Sequence, residues 1–595
     1  NSSLLTSPLL PYPIDTLPYR LYRFTVWKYA KHIPLFLSDE TKLTSQAGSK
    51  QGDALSNLLY GAFDKFIVDP IRKKHNVRIV NLSFCDDRYI AGETKNVAAF
   101  FSELKAALGA EGARFRGDKC HVYHHGTNPN SEQLCALFGV PTENVHAHFN
   151  LKVLGSYLGT DEYIQKNVDL AIERIHSMML KASDIGDPKC AMLLVKGSFG
   201  ACRLVHLLRT TSPEVIKQQV ARFDHHLRDI TSCIMGQSLS DIDYSRMTLP
   251  VSRTGHGISN LSNQTIAAFQ SSFAESSRFI SVFQKTIDIQ IESESHIQTH
   301  NAMEMQFASK HNIPLDVVLE WREKEKYPAQ HELMKFVHDT NQRLVEEALE
   351  TVDQRIRYRT AMASGAGDWI DAFPSTRALR MGADEYRAAC GLRYGWIQFE
   401  GNGHDECPDC GKHIDPKGNH AIHCGSYGGN TVRHNKVRDC LFKWAKKALF
   451  MVEKEKPGLL CDGRKPADIY IKAYQEGIDW AFDVTVVSPL AVRHQRAAQS
   501  VVCAAARAAS DGKYKAYRGS YEDRSWKFQP LACEAMGGWD KPMDLVIRSI
   551  AKALGNRWNA RWQSIQRIIK QEISMILIRG TVHMIMRRQV RDTMN

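Results

Sequence analysis

Residues 79–92 read IVNLSFCDDRYIAG, and this stretch indicates the kind of fold that the chain contains. An apolar run ending at Phe84 is followed by two adjacent aspartates, a polar turn and another short apolar segment. The pattern predicts a strand–turn–strand hairpin with Asp86 and Asp87 at its tip. Such a pair suits Mg²⁺, which takes hard oxygen ligands and binds through one or two carboxylates with phosphates and waters. The alternative is a charged β-turn without a metal, because aspartate is common at turn positions.

The composition is that of a globular protein with a mild positive charge. The chain has 595 residues, enough for three or four domains, and its formal net charge is +12, which is compatible with a polyanionic partner. No uninterrupted apolar run reaches the roughly 18–20 residues that span a bilayer, so we expect no membrane association. The 14 cysteines are scattered and mostly single, which favours a reducing intracellular compartment. The chain starts at Asn1, and we expect a fragment or a processed product.

Three further segments surround the aspartate pair: GSKQGDALS (48–56) before it, and GARFRGDKC (112–120) and VLGSYLG (153–159) after it. Their order resembles the palm of reverse transcriptases from non-LTR retrotransposons. The resemblance implies that Asp86 and Asp87 bind magnesium and that Gln51 and Gly52 lie against the template and the incoming nucleotide. It also implies that Lys119 acts on the leaving pyrophosphate, although a solvated surface lysine is an equally good interpretation.

The chain departs from that family in the region before residue 48. The family places another metal-binding aspartate upstream of the segment at 48–56, and the only aspartates there are Asp15 and Asp39. Neither ends an apolar strand, and prolines flank the first. We therefore expect a partial palm that does not polymerise by itself.

The resemblance predicts an α+β multidomain fold with a partial right-hand polymerase palm, a helical thumb, a zinc knuckle and a nuclease. Further segments at 249–262 and 369–395 are similar to parts of the same family. The expected organisation is a palm at 1–160, a thumb at 161–240, a helical linker region at 241–403, a zinc knuckle at 404–430, a nuclease at 431–545 and a basic helical tail at 546–595.

A compact cysteine and histidine cluster follows in ECPDCGKHIDPKGNHAIHCGS (406–426). Its spacing is Cys407-x2-Cys410-x9-His420-x3-Cys424, which can supply the four ligands of a tetrahedral structural zinc site. His413 and His423 are competing ligands, and chance clustering of free cysteines is the alternative to a metal site. Within the resembled family, such a knuckle lies just before a restriction-like endonuclease.

A second pair of carboxylates lies in RKPADIYIKAYQEGIDWAFDVTVVSP (464–489). This stretch predicts two strands around a turn at 475–476, which makes Asp468 and Asp483 direct cross-strand partners. Like charges placed opposite each other are destabilising unless a cation joins them, so the pair predicts a Mg²⁺ site for phosphodiester hydrolysis. An Ala-rich helix over 491–510, ending at Gly512, should then present Lys513, or Lys515, to the developing charge.

This arrangement resembles the PD-(D/E)xK nuclease pattern as retrotransposon endonucleases carry it, with the lysine displaced onto the following helix. The segment RHNKVRD (433–439) is similar to one that follows the family's knuckle. The departures are an alanine before Asp468 and Thr485 where the pattern has lysine. Glu453 or Glu455 is a candidate further carboxylate, with plain surface charge as the alternative for these glutamates and for the lysines.

In the tail, Trp558 and Trp562 stand four residues apart among basic side chains, which predicts either a nucleic-acid surface or a packed helix face. Taken together, the motifs predict a retrotransposon reverse transcriptase and DNA endonuclease fragment that uses Mg²⁺ and structural Zn²⁺. By the resemblance, its partners are a DNA target, an RNA template and deoxynucleotides, and its location is the nucleus. The alternatives are a non-catalytic nucleic-acid-binding relic and an RNA-templated RNA polymerase, the latter leaving the knuckle and the second carboxylate pair unexplained.

Overall fold

The computed structural model describes residues 33–36, 42–45, 56–75, 79–84, 87–112, 115–124, 130–146, 149–287, 294–323, 327–399, 406–460, 467–517 and 525–592. The fold is mixed α+β, mostly helical with small sheets, as the sequence predicts at that level. The described chain forms two compact units. One contains the residues up to Lys152 with Leu158–Thr160 and the end of a helix from Ser277, and the other contains the rest.

In its described residues, the first unit is built from short two-stranded sheets, three helices and the end of the further helix that it takes from Ser277 onward. Its strands are β1 (Ile33–Phe36), β2 (Lys42–Ser45), β3 (Ile79–Phe84), β4 (Asp87–Gly92), β5 (Val122–Tyr123) and β6 (Val145–His146). Its helices are α1 (Ser56–His75), α2 (Thr94–Ala110) and α3 (Ser131–Phe138). The pairs β1–β2 and β3–β4 are antiparallel, and β5–β6 is parallel.

The predicted hairpin is present in this unit. β3 and β4 pair with Phe84 opposite Asp87, so Cys85 and Asp86 connect them and lie outside the described residues. Arg88 of β4 pairs with the buried Asp64 of α1, which ties the hairpin to that helix.

The second unit begins with helices. They are α4 (Asp161–Ser183), α5 (Pro188–Leu194), α6 (Val205–Thr210), α7 (Lys217–Met235), α8 (Asp241–Thr248), α9 (Thr265–Ile287), α10 (Glu294–Lys310), α11 (Leu315–Glu323), α12 (Gln330–Glu347), α13 (Val352–Ala361) and α14 (Ala383–Tyr394). A short hairpin precedes them in the chain, with strands β7 (Leu151–Val153) and β8 (Ser156–Leu158), and its residues are divided between the two units. The largest core cluster joins side chains of α4, α5, α7 and α14.

One stretch, residues 188–210, is long and apolar enough by length and composition to cross a membrane. The structure divides it into α5, a π-helical turn at Val195–Phe199, a 3₁₀ turn at Ala201–Arg203 and α6. By itself such a stretch is weak evidence, because core helices pass the same test.

The C-terminal part of the second unit contains the largest described sheet. Its elements are α15 (Asn419–His423), α16 (Gly429–Lys447), β9 (Val452–Lys454), β10 (Ile469–Gln475), β11 (Ile478–Val487), α17 (Val492–Ala498), α18 (Ala504–Tyr517), β12 (Trp526–Glu534), α19 (Lys541–Trp558) and α20 (Trp562–Asp592). The strand order is β12-β11-β10-β9, with β11 and β12 parallel and the other pairs antiparallel.

Strand alternation divides the residues of this sheet between two cores. Ile469, Ile471 and Phe482 point to a core shared with α16, α19 and α20. Tyr470 and Ala481 point to the opposite face, where tyrosines of α18 pack. Asp483 lies one residue beyond Phe482 and therefore shares the face of α18.

The predicted basic tail is not a single helix. α19 ends at Trp558, Asn559 adopts a left-handed conformation (φ 48°), and α20 begins at Trp562, so the two tryptophans do not share one helical face. α20 carries fully buried side chains, among them Ile573 and Val582, and packs in both large cores. The sequence pattern missed this because the basic residues of α20 interrupt its apolar stripe.

Candidate functional site

The hairpin β10–β11 brings the second pair of aspartates together. The register pairs Ile469 with Phe482, and the next position outward is Asp468 opposite Asp483, as the sequence predicts. The turn lies one residue later than predicted, because Gln475 pairs with Ile478. An irregularity in β10 between Ile471 and Gln475 adds two residues on that strand and restores the predicted register.

Local chemistry explains this hairpin. Glu476 and Gly477 form the two-residue turn with positive φ values of 53° and 73°, which match a primed hairpin turn. Ala473 lies in the irregular segment with φ 49°, and its N–H donates to the carboxylate of Asp479 over 2.8 Å. Tyr470 donates to the same carboxylate. Asp479 therefore stabilises the bulge on which the register depends.

Asp468 precedes β10 and is fixed by two hydrogen bonds. Its Oδ2 accepts from the backbone N–H of Val484 over 2.7 Å and lies 3.1 Å from Nε2 of His434. In the described part of the chain no hydrogen bond engages its other oxygen, Oδ1. Among the described residues, one oxygen is thus held by the protein and the other has no partner.

His434 of α16 is a residue that the sequence analysis missed. Its Nε2 also lies 2.9 Å from the carbonyl oxygen of Val484, which can only accept. Nε2 must therefore carry the proton, which it shares between that carbonyl and Asp468. The hydrogen bond to Asp468 is the largest cause of a raised pKa for His434, and burial opposes it. The sequence signal that could have identified His434 was its position in the segment RHNKVRD (433–439), which is similar to one in the resembled family.

Asp483 is nearly buried on β11. Burial raises the pKa of its carboxyl to about 6, the positive charge of Lys513 opposes that rise, and the charge of Asp468 adds to it. The two carboxylates therefore repel each other in the absence of a cation, as expected for cross-strand partners.

Lys513 is the lysine that the structure brings to this pair. Its Nζ lies 2.9 Å from Oδ2 of Asp483, and its side chain is 35% exposed. Burial is the largest single effect and lowers the pKa of Lys513, but the charge of Asp483 and the hydrogen bond to it, together with the charges of Tyr517 and Asp468, raise the pKa above its ordinary value. The predicted single helix over 491–510 is wrong in two respects. It is divided into α17 and α18, and α18 continues past Gly512 to Tyr517, so that Lys513 lies within its last turns. The second candidate, Lys515, is exposed.

The two glutamates considered as further ligands are engaged elsewhere. Glu453 lies 3.1 Å from Nζ of Lys456 and 3.5 Å from Nζ of Lys472, and Glu455 pairs with Arg438. Both are held by basic side chains, which favours the surface-charge interpretation.

The cysteine and histidine cluster at 407–424 converges as its spacing predicts, and could hold a metal ion such as zinc. Sγ of Cys407 and Sγ of Cys424 lie 4.0 Å apart, Sγ of Cys410 and Sγ of Cys424 3.7 Å, and Sγ of Cys410 and Nε2 of His420 3.2 Å. Tetrahedral zinc with Zn–S bonds of about 2.3 Å separates its sulfur ligands by about 3.8 Å. The donor set and its spacing therefore fit zinc, and in the described residues the converging group includes His420 and neither His413 nor His423.

A buried arginine neighbours this cluster. Arg588 of α20 donates from Nε to Sγ of Cys407 over 3.2 Å and pairs with Asp409 over 2.9 Å. Three thiolates around a divalent ion leave one net negative charge, which this guanidinium faces. Arg588 lies more than 160 residues beyond the cluster, so local spacing gave no indication of it.

The structure does not assemble the predicted polymerase site within the described residues. Asp87 is exposed at the start of β4, and Lys119 is exposed at the end of a 3₁₀ turn, Gly117–Lys119. No hydrogen bond or ion pair joins these two residues in the described ranges. Asp86, Gln51 and Gly52 lie outside the described residues.

Comparison with known proteins does not assign a function to these sites. No family model matches the sequence, and no curated protein matches it either. Any functional assignment therefore depends on the residues and their geometry.

Proposed function

We propose that the C-terminal part of this chain is a metal-dependent DNA endonuclease. The observation that carries the proposal is the convergence of Asp468, Asp483 and Lys513 from a hairpin and a facing helix. The mixed sheet, with helices covering both faces, supports the resemblance to PD-(D/E)xK nucleases.

In this proposal Asp468 and Asp483 hold Mg²⁺, which fits its preference for one or two carboxylates and remaining water or phosphate ligands. The bound ion supplies an activated water and stabilises charge on the phosphate. Val484 and His434 fix Oδ2 of Asp468 and leave Oδ1 for the ion. Lys513 faces the same carboxylates and can neutralise the charge that develops on the scissile phosphate.

We further propose that the cluster at 407–424 binds zinc in a structural role. All four protein ligands are present, which leaves no open position for a substrate. Contacts of Arg357 support a structural role. Arg357 hydrogen-bonds to Asn419, which lies between the ligands Cys410 and His420 in sequence, and it forms an ion pair with Asp353 of α13. A metal there would hold the 407–424 loop against the helical core.

A further proposal concerns the N-terminal part of the chain. A partial reverse-transcriptase palm of retrotransposon origin, acting with an RNA template and deoxynucleotides in the nucleus, is supported by the hairpin that carries Asp87. Because Asp15 and Asp39, the aspartates between residues 1 and 47, do not end apolar strands, a non-catalytic nucleic-acid-binding relic is the alternative for this part of the chain. We predict no primer extension by the purified chain.

Nicking of supercoiled plasmid DNA tests the endonuclease proposal. We expect the zinc-loaded protein to nick with Mg²⁺ and not without a divalent cation. Asp511→Asn serves as a matched control, because Asp511 is an exposed carboxylate on α18, near Lys513 in sequence. Equal nicking by the wild type, Asp511→Asn and Asp483→Asn would contradict the proposal.

A further inference from the structure

A cavity of about 270 Å³ lies between α16 and α20, beside the cysteine and histidine cluster. Two helix faces and the loop before α16 line it. The lining residues are Cys424, Tyr427, Gly429, Val432, Arg433, Lys436, Gly580, His583, Met584, Arg587 and Arg588. No aspartate or glutamate is among them, whereas four are lysines or arginines. One of these four, Arg588, is engaged by Cys407 and Asp409.

Arg433 is buried in this wall, and no carboxylate of the described residues pairs with it. Its side chain is 1% exposed, and its guanidinium donates to Thr581 Oγ1 over 2.6 Å and to Asn430 Oδ1 over 3.0 Å, both neutral oxygens. Its Nε is buried and has no hydrogen-bond partner among the residues that the structure describes. Burial lowers its pKa to about 10, so the group remains charged at neutral pH. A buried cation without a counter-ion is unfavourable, and an anion in the cavity would relieve that cost.

Two more basic side chains face the cavity with little neutralisation. Lys436 is exposed, one turn after Arg433 on α16, and forms no ion pair in the described part of the chain. Arg587 lies 3.9 Å from Asp409 and over the ring of Tyr427. Asp409 pairs more closely with Arg588, at 2.9 Å, so it neutralises the positive charge of Arg587 only in part.

The first turn of α16 adds to this positive potential. Gly428 is the N-cap and provides no side-chain acceptor for the first N–H groups. Gly429 opens the 19-residue helix at the cavity wall, and the positive end of the helix dipole lies there. The ring of Tyr427, 56% exposed, forms an aromatic rim beside these groups.

We propose that this cavity binds a phosphate group, recognised by the first turn of α16 together with Arg433, Lys436 and Arg587. The phosphate belongs either to a nucleic-acid strand or to a free phosphate ion, since the same chemistry recognises both. The site is separate from Asp468 and Asp483, and the inference does not depend on the proposed endonuclease activity.

Binding measurements without divalent cations test this inference, because no cleavage is needed. Anisotropy of a labelled single-stranded oligonucleotide is measured across a salt series, and binding of inorganic phosphate is followed by the broadening of its ³¹P signal. The variants are Lys436→Gln and Arg587→Gln. Lys446→Gln is the matched control, an exposed lysine on the same helix outside the cavity.

Loss of one phosphate contact should reduce the slope of log affinity against log salt by about 0.7 for a single strand. We expect each of the two variants to show that reduction with a severalfold loss of oligonucleotide affinity, and the control to match the wild type. Loss of phosphate binding with unchanged oligonucleotide binding would assign the site to the free ion. Variants that equal Lys446→Gln in both measurements would overturn the proposal.

Discussion

The ammonium nitrogen of Lys513 lies 2.9 Å from a carboxylate oxygen of Asp483. The two residues are 30 positions apart and reach each other because α18 crosses the face of β11 on which Asp483 lies. Asp483 also stands opposite Asp468 in the hairpin register. The contact therefore joins a cation to a pair of carboxylates that would otherwise repel each other.

Removal of Lys513 tests the role of that cation. Lys513→Gln should lower the rate of Mg²⁺-dependent plasmid nicking by about 100- to 1,000-fold, the usual loss for one preorganised electrostatic group. Lys515→Gln, an exposed neighbour on the same helix, should retain the wild-type rate. An equal loss in both variants would show that a general loss of positive charge, and not the contact with Asp483, is responsible.

His434 should act through Asp468. His434→Ala leaves Oδ2 of Asp468 with one hydrogen bond fewer, so the carboxylate is less well oriented for a metal. We expect nicking to fall about 10- to 100-fold, as for other groups that orient a metal ligand. The Mg²⁺ concentration for half-maximal rate should rise, which a purely structural defect would not produce. His225→Ala, a distant exposed histidine, is the control, and an unchanged Mg²⁺ requirement in His434→Ala would contradict this role.

The ligand set of the zinc site can be tested by its competing histidines. His420→Asn removes one of four converging ligands, whereas His413→Asn changes a nearby exposed histidine outside the cluster. We expect one zinc per chain for wild type and His413→Asn by elemental analysis after gel filtration, and substoichiometric zinc for His420→Asn. Equal zinc in the two variants would exclude His420 as the ligand.

Glu534 provides a prediction about stability and pH. It ends β12 with 1% exposure, and burial raises its pKa from the ordinary 4.5 to about 7. The folded state therefore binds this proton more tightly than the unfolded state, and the associated stability is complete below pH 4.5. This contribution to the free energy of unfolding decreases as the pH rises from 4.5 to about 7. The total loss is about 3 kcal/mol at most.

Glu534→Gln keeps a neutral side chain of the same shape at every pH. Its Tm relative to wild type should therefore rise between pH 5 and pH 8. Glu476→Gln, in an exposed turn, should show a constant difference from wild type over that range. A constant difference for Glu534→Gln as well would refute the assignment.

Features encoded by short-range patterns were predictable from the sequence. The strands around Asp87, the four members of the metal cluster and the opposition of Asp468 and Asp483 all depend on spacing within fewer than 20 residues. The bulge shows a limit of this reasoning, because the turn lies one residue away from its predicted place. The register is nevertheless the predicted one, because the two extra residues on β10 offset the later turn. An even number of extra residues also leaves each side chain on its predicted face of the sheet.

Features that depend on distant parts of the chain were not predictable. His434 meets Asp468 from another element, Arg588 meets Cys407 across 181 positions, and α20 packs centrally although its sequence is basic. At Gly512 a local rule predicted the end of a helix that in fact continues. Glycine usually weakens a helix by about 1 kcal/mol, but packing of Tyr514 and Tyr517 on the sheet is consistent with the helix continuing past it.

The proposed shared metal site of Asp468 and Asp483 can be tested by the rate constant for nicking of supercoiled DNA. The proteins to compare are Asp468→Asn, Asp483→Asn and the double variant, each zinc-loaded and folded. If the two carboxylates hold one catalytic ion together, each single variant should lose nearly as much activity as the double variant, because groups that act as a unit are not additive. Asp511→Asn should match the wild type. Wild-type nicking by either single variant would contradict the account.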